Sequence, residues 1–181
     1  MKKLLVFSLL ALAVCAQAAT VKWNWKSDAV VKFDSTSVGA NATAYLLYIG
    51  DKSVSSYTFN EYVDMAGSAV ATASTKVGKV NTSGVTVDAT PGNFVTMLSY
   101  VSGSDTYWNV SSSVYTLTQA GIDDLTNSGT PLADSSFSFS NTVKTEKGTG
   151  TVGGGWAMVP EPSTAALALA GLALLIKRRR A

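Results

Sequence analysis

Whatever core this chain has must be built by residues 20–156 without a cysteine or a histidine. The single Cys of the 181 residues is Cys15, inside an apolar N-terminal run, and His is absent. Once that run is removed no disulfide framework is possible, even in an oxidising compartment. Stability then rests on burial, for which this stretch is long enough. Four Trp, seven Tyr and six Phe can seed the core, so the sequence is not of the disordered class. The same absences remove Ser-His-Asp catalysis, Cys nucleophiles and Cys/His zinc sites.

The body reads mainly as strands. Val21, Trp23 and Trp25 alternate with Lys22, Asn24 and Lys26, and Val31 and Phe33 alternate with Lys32 and Asp34. That is the period of a half-buried strand. Ala44–Ile49 is apolar on both faces and predicts a central strand. Val85–Ala89 reads as a short strand stopped by Pro91-Gly92. Asn93–Val101 and Tyr107–Leu117 flank the turn Ser102-Gly103-Ser104-Asp105, and Phe137–Ser140 is a last alternating strand. Tyr62, Met65, Ala66, Ala69, Val70 and Ala73 recur at helical spacing. Thr58 to Glu61 fits a capping box, with Tyr57 and Tyr62 as its hydrophobic staple. A shorter helical turn is expected over Gln119–Asn127, capped by Thr118. The pattern predicts a small β-sandwich with one helical insertion, flanked by an N-terminal signal helix and a C-terminal transmembrane helix. Gly148-Thr149-Gly150-Thr151-Val152-Gly153-Gly154-Gly155 reads as a flexible tether over 148–158. Its match to G-x-G-x-x-G lacks the following helix that a dinucleotide site needs.

Both ends read as targeting segments. Lys2-Lys3, an apolar run to Ala16, and Ala16-Gln17-Ala18 make a signal peptide over 1–18, with cleavage leaving Ala19 first. Lipoprotein processing at Cys15 ranks second, because Val14 is bulky for the residue before a lipidated Cys. At the other end, Val159-Pro160-Glu161-Pro162-Ser163-Thr164 precedes Ala165–Ile176, which is wholly apolar, and then Lys177-Arg178-Arg179-Arg180. Twelve helical residues span about 18 Å, short of a hydrocarbon core of about 30 Å, which suits a transient anchor. The cations Lys177, Arg178, Arg179 and Arg180 favour a cytoplasmic end. Pro160 and Pro162 forbid helix across the motif and leave it extended.

Residues 159–181 resemble the PEP-CTERM sorting signal, a module also called the ice-binding protein C-terminal domain. A Val-Pro-Glu-Pro-Ser/Thr motif, a short apolar helix and an Arg-rich end occur here in the family's order. The resemblance implies processing by an exosortase, a membrane-embedded cysteine protease or transpeptidase, with Val159, Pro160, Glu161 and Pro162 as its recognition site. It implies export through Sec and signal peptidase, a membrane stage, and then a cell-surface or extracellular location among exopolysaccharide. Ice binding would need a regular Thr array, and only scattered pairs such as Thr116/Thr118 occur.

Charge and chemistry narrow the body's role. The chain has 14 Lys+Arg and 12 Asp+Glu, and six of the cations are Lys2, Lys3, Lys177, Arg178, Arg179 and Arg180. The body is therefore acidic, which argues against nucleic acid or an anionic membrane surface as a partner. Carboxylate chemistry remains, with Glu61, Asp64, Asp105, Asp123, Asp124 and Glu146 as candidates, but none has a convincing partner for glycoside hydrolysis. Trp23, Trp25, Tyr107 and Trp108 offer either core packing or a sugar-stacking platform. Tyr107 falls on the more polar strand face and is expected to be exposed. Asn41, Asn81 and Asn109 head formal glycosylation sequons. The sequence thus predicts a body over 19–147 that is a non-enzymatic structural or adhesive component, with no cofactor or metal. The alternative is a carbohydrate-binding module with polysaccharide as partner.

Overall fold

The computed structural model describes residues 20–128 and 132–159, with backbone only over 124–128 and 132–135. The signal segment with Ala16, Ala18 and Ala19, the motif residues Pro160, Glu161 and Pro162, and the cations Lys177 to Arg180 lie outside the described residues. So do both flanking helices expected from the sequence. Among the described residues no helix is long and apolar enough to cross a membrane.

The protein is mainly β. In chain order the elements are β1 (Thr20–Ser27), β2 (Lys32–Phe33), β3 (Thr36–Ser37), β4 (Ala42–Gly50), α1 (Phe59–Asp64), β5 (Ala71–Ser74) and β6 (Asn81–Asp88). There follow β7 (Gly92–Ser102), β8 (Asp105–Val110), β9 (Tyr115–Leu117), α2 (Gln119–Ser128) and β10 (Leu132–Phe137). One sheet has the order β10-β1-β6, with β10 parallel and β6 antiparallel to β1. The other runs β5-β4-β7-β8, and β9 extends the β8 edge by pairing with the start of β7. β2 and β3 form a separate small hairpin.

The alternating residues of β1 explain how the two sheets meet. Val21, Trp23 and Trp25 are fully or nearly buried, while Lys22 is exposed. Trp23 stands edge-on to Phe94 of β7 at 4.8 Å and to Tyr115 of β9 at 5.0 Å. Trp25 Nε1 donates to Thr96 Oγ1 of β7 at 2.8 Å. β4, apolar on both faces as the sequence reads, supplies Ala44 and Leu46 to this core and Leu47 and Ile49 to a second core on the sheet's outer face. That outer core is roofed by Phe59 and Tyr62 of α1.

Several local expectations need correction. Helical spacing from Tyr62 to Ala73 predicts one continuous helix, but α1 stops at Asp64 and tightens into a 3-10 turn over Met65–Ser68. Gly67 weakens helix, and Ala71–Ser74 pairs with β4 instead. The helical turn expected over Gln119–Asn127 does form, as α2, with Gly121 N donating to the Thr118 hydroxyl at 3.1 Å. Tyr107–Leu117 divides into β8 and β9 at Ser111–Val114, where Ser111 Oγ donates to Ser113 O at 2.9 Å and the chain turns. The last strand ends at Phe137 rather than starting there. The capping box holds as read: Glu61 N donates to Thr58 Oγ1 at 3.3 Å, and Thr58 N donates to Glu61 Oε2 at 2.6 Å. Its staple is present too, with the Tyr57 and Tyr62 rings 5.5 Å apart.

The largest correction concerns 148–158. This segment is part of the body, not a tether. Trp156 and Ala157 are fully buried and Met158 nearly so. The glycines serve close packing rather than slack. A Cβ at Gly150 would collide with the Phe59 ring, and one at Gly155 would collide with the Thr142 carbonyl. Gly155 also adopts φ +98°, a conformation closed to most side chains.

Candidate functional site

The chain meets its sorting motif at the edge of β8. β8 would otherwise end the sheet with unpaired backbone groups. The segment after Gly155 covers that edge. Ala157 N donates to Trp108 O and Trp108 N to Ala157 O, each at 2.9 Å. On its other side Trp156 N donates to Thr142 O at 2.7 Å, Lys144 N to Trp156 O at 2.8 Å, and Gly148 N to Met158 O at 3.0 Å. Side chains alternate as in a strand. Trp156 and Met158 enter the core between the sheets, whereas Ala157 enters the outer core and Val159 packs against it. Trp156 Nε1 donates to Lys32 O at 2.7 Å, and its ring lies 5.9 Å from both Phe33 and Tyr100.

Val159, the first residue of the motif, is thus half-buried on the body, directly after three buried residues. No spacer separates fold from motif. Sequence reasoning missed this because five glycines in eight positions outweighed the period-2 pattern of Trp156 and Met158.

The carboxylate candidates do not converge. Glu61 and Asp64 are exposed on α1, Asp105 is half-buried at the β7–β8 turn, Asp123 is exposed on α2, and Glu146 is exposed in the C-terminal loop. The Asp124 side chain lies outside the described residues. The Thr58 backbone N–H, and then its hydroxyl, hold the Glu61 carboxyl below its ordinary range, so this group serves the helix cap. Asp123 Oδ1 accepts from Gln119 Nε2 at 2.8 Å. Among the described residues no three acidic, His or Cys side chains group as metal ligands.

The aromatic candidates are largely interior. Trp23 and Trp25 are fully buried, as their shared strand face predicts. Trp108 is half-buried with its ring 5.7 Å from Tyr45. Tyr107, expected on the exposed face, is only 9% exposed. The β2–β3 hairpin covers it, placing Phe33 edge-on at 4.7 Å. Burial raises the Tyr62 phenol to about 12, with Tyr57 adding to the shift, and burial also raises Tyr115. Of the three sequons, Asn41 and Asn81 are exposed. Asn109 is fully buried, its Nδ2 donating to Ser140 O at 2.7 Å.

Residues 159–181 match the family model of the PEP-CTERM protein-sorting motif. The chain therefore carries that motif, and the motif implies an exported protein processed at the membrane by an exosortase. No curated protein and no solved structure matches the chain.

Proposed function

We propose that this protein is a non-enzymatic structural or adhesive component of the exopolysaccharide layer. It is exported by its signal peptide, held in the membrane by the apolar segment after Thr164, and cut near Val159–Pro162. The observation that carries this reading is the sorting motif at 159–181. A body of the β-sandwich class suits the role. Support comes from the bond between Trp25 of one sheet and Thr96 of the other, and from the core both sheets line. Scattered carboxylates, one of them committed to a helix cap, support a non-catalytic body. Sugar stacking needs exposed rings, and Trp23, Trp25 and Trp156 are all buried, so the structural role is preferred over the carbohydrate-binding one.

Fractionation of host cells with and without the exosortase tests the reading. The body is expected in the extracellular polysaccharide fraction of the wild type and in the membrane pellet of the exosortase-deficient strain. Equal release from both strains would overturn the sorting role. A body that leaves the polysaccharide fraction after a low-salt wash would overturn the matrix role.

A further inference from the structure

We propose that the end of the body from which the sorting motif leaves is a lipid-docking face, which rests on the bilayer that holds the tail until processing. This rests on the reading that the segment after Thr164 is held in a membrane. The register of the sheets defines the face. Ala42 pairs with Tyr100 and Thr43 with Ser74, so the start of β4, the end of β5 and the β7–β8 turn share one end. Ala157 opposite Trp108 runs antiparallel to β8, so the chain beyond Val159 heads towards that same end.

The tether is short because 148–158 is folded. Pro160 to Thr164 separate Val159 from the first apolar residue, Ala165. Fully extended, that connection reaches about 20 Å. Headgroups occupy about 5–8 Å on each side of the hydrocarbon. The exit end therefore cannot leave the neighbourhood of the lipid, and it lies close to the range of surface electrostatics, about 10 Å.

What this end displays fits that neighbour. Lys76 and Lys79 close a tight turn whose tip is Val77, 84% exposed. Val77 has φ +52°, a left-handed conformation that disfavours a β-branched residue. A valine there costs folding stability and offers apolar surface in return. Val101, 61% exposed, stands beside the β7–β8 turn at the same end. Lys32, Lys76 and Lys79 share the end with Asp34, Asp105 and Asp28, and Asp28 already accepts a hydrogen bond from Ser138 Oγ. Elsewhere, Asp51 and Asp88 stand at the far end and Glu61, Asp64 and Asp123 on the helices, against Lys22 and Lys52, while Lys144, Glu146 and Lys147 belong to the loop beside Met158. A small apolar tip flanked by lysines whose stems can snorkel suits the headgroup region beside the tail.

The test uses the exported chain, which starts at Ala19 and has no cysteine of its own, reconstituted in phosphatidylglycerol/phosphatidylcholine vesicles. A polarity-sensitive dye is attached at Val77→Cys, Val101→Cys or Asp51→Cys, and headgroup-spin-labelled lipid is the quencher. At 77 and 101 the dye is expected to be quenched clearly more than at 51, since inserted side chains sit about 5–10 Å into the headgroup boundary. Lys76→Glu with Lys79→Glu should abolish that difference. Equal quenching at 77 and 51 in chain that floats with the vesicles would overturn the docking face alone. Chain that does not float with the vesicles would overturn the membrane reading of the tail, and this inference with it.

Discussion

Replacing Trp156 by alanine probes the claim that the glycine-rich segment belongs to the fold. The ring is fully buried between Phe33 and Tyr100, and its Nε1 donates to Lys32 O at 2.7 Å. Truncating a buried Trp costs about 3–5 kcal/mol, including its cavity. The lost hydrogen bond, about 1 kcal/mol, falls within that figure. Domains have only about 5–15 kcal/mol in total, so Trp156→Ala removes about a fifth or more. Urea unfolding followed by circular dichroism reads this directly. At an m-value of about 2 kcal/mol/M the midpoint falls by about 2 M. The exposed neighbour Glu146 serves as the control, since Glu146→Ala should move the midpoint little. A Trp156→Ala shift no larger than that control would refute the packing argument and restore the flexible tether.

Other outcomes follow from the same geometry. Trp25→Phe leaves the buried Thr96 hydroxyl without its donor and should cost about 1–3 kcal/mol in urea unfolding. Val77→Gly relieves the left-handed valine and is expected to gain up to about 1 kcal/mol, read as a rise in Tm. Tyr62 is neutral when folded up to about pH 12. Its raised pKa gives stability that is complete below the unfolded value near 10 and is lost as pH climbs through the folded value. Tyr62→Phe should therefore flatten the alkaline loss of Tm between about pH 10 and 12. Asn109→Asp buries a carboxylate at a site with no exposure and should cost about 3 kcal/mol or more by urea titration.

The legible parts of the sequence were those where one local pattern had no competitor. β1 alternates cleanly, and its two Trp side chains are core as read. The capping box over Thr58 to Glu61 is a short-range signal and holds. The illegible parts were decided by distant partners. Ala71–Ser74 has helical spacing but finds the open edge of β4. Tyr107 lies on a strand face that reads polar, yet that face lines the core between the sheets and the hairpin adds Phe33 against it. Gly148–Gly155 is compositionally a linker. Its glycines are used to let backbone pass Phe59 and Thr142, which no local pattern reveals. The sorting motif was readable because its parts are contiguous at one end of the chain.

The central claim is that a body folded up to Met158 is delivered through a processed motif at 159–181. Intact mass spectrometry of the native protein, from hosts with and without the exosortase, tests it. The predicted wild-type product retains Trp156, Ala157 and Met158 and lacks Lys177 to Ala181, whereas the deficient host keeps that tail. A wild-type product that still ends in Ala181, or one cut ahead of Trp156, would contradict the account.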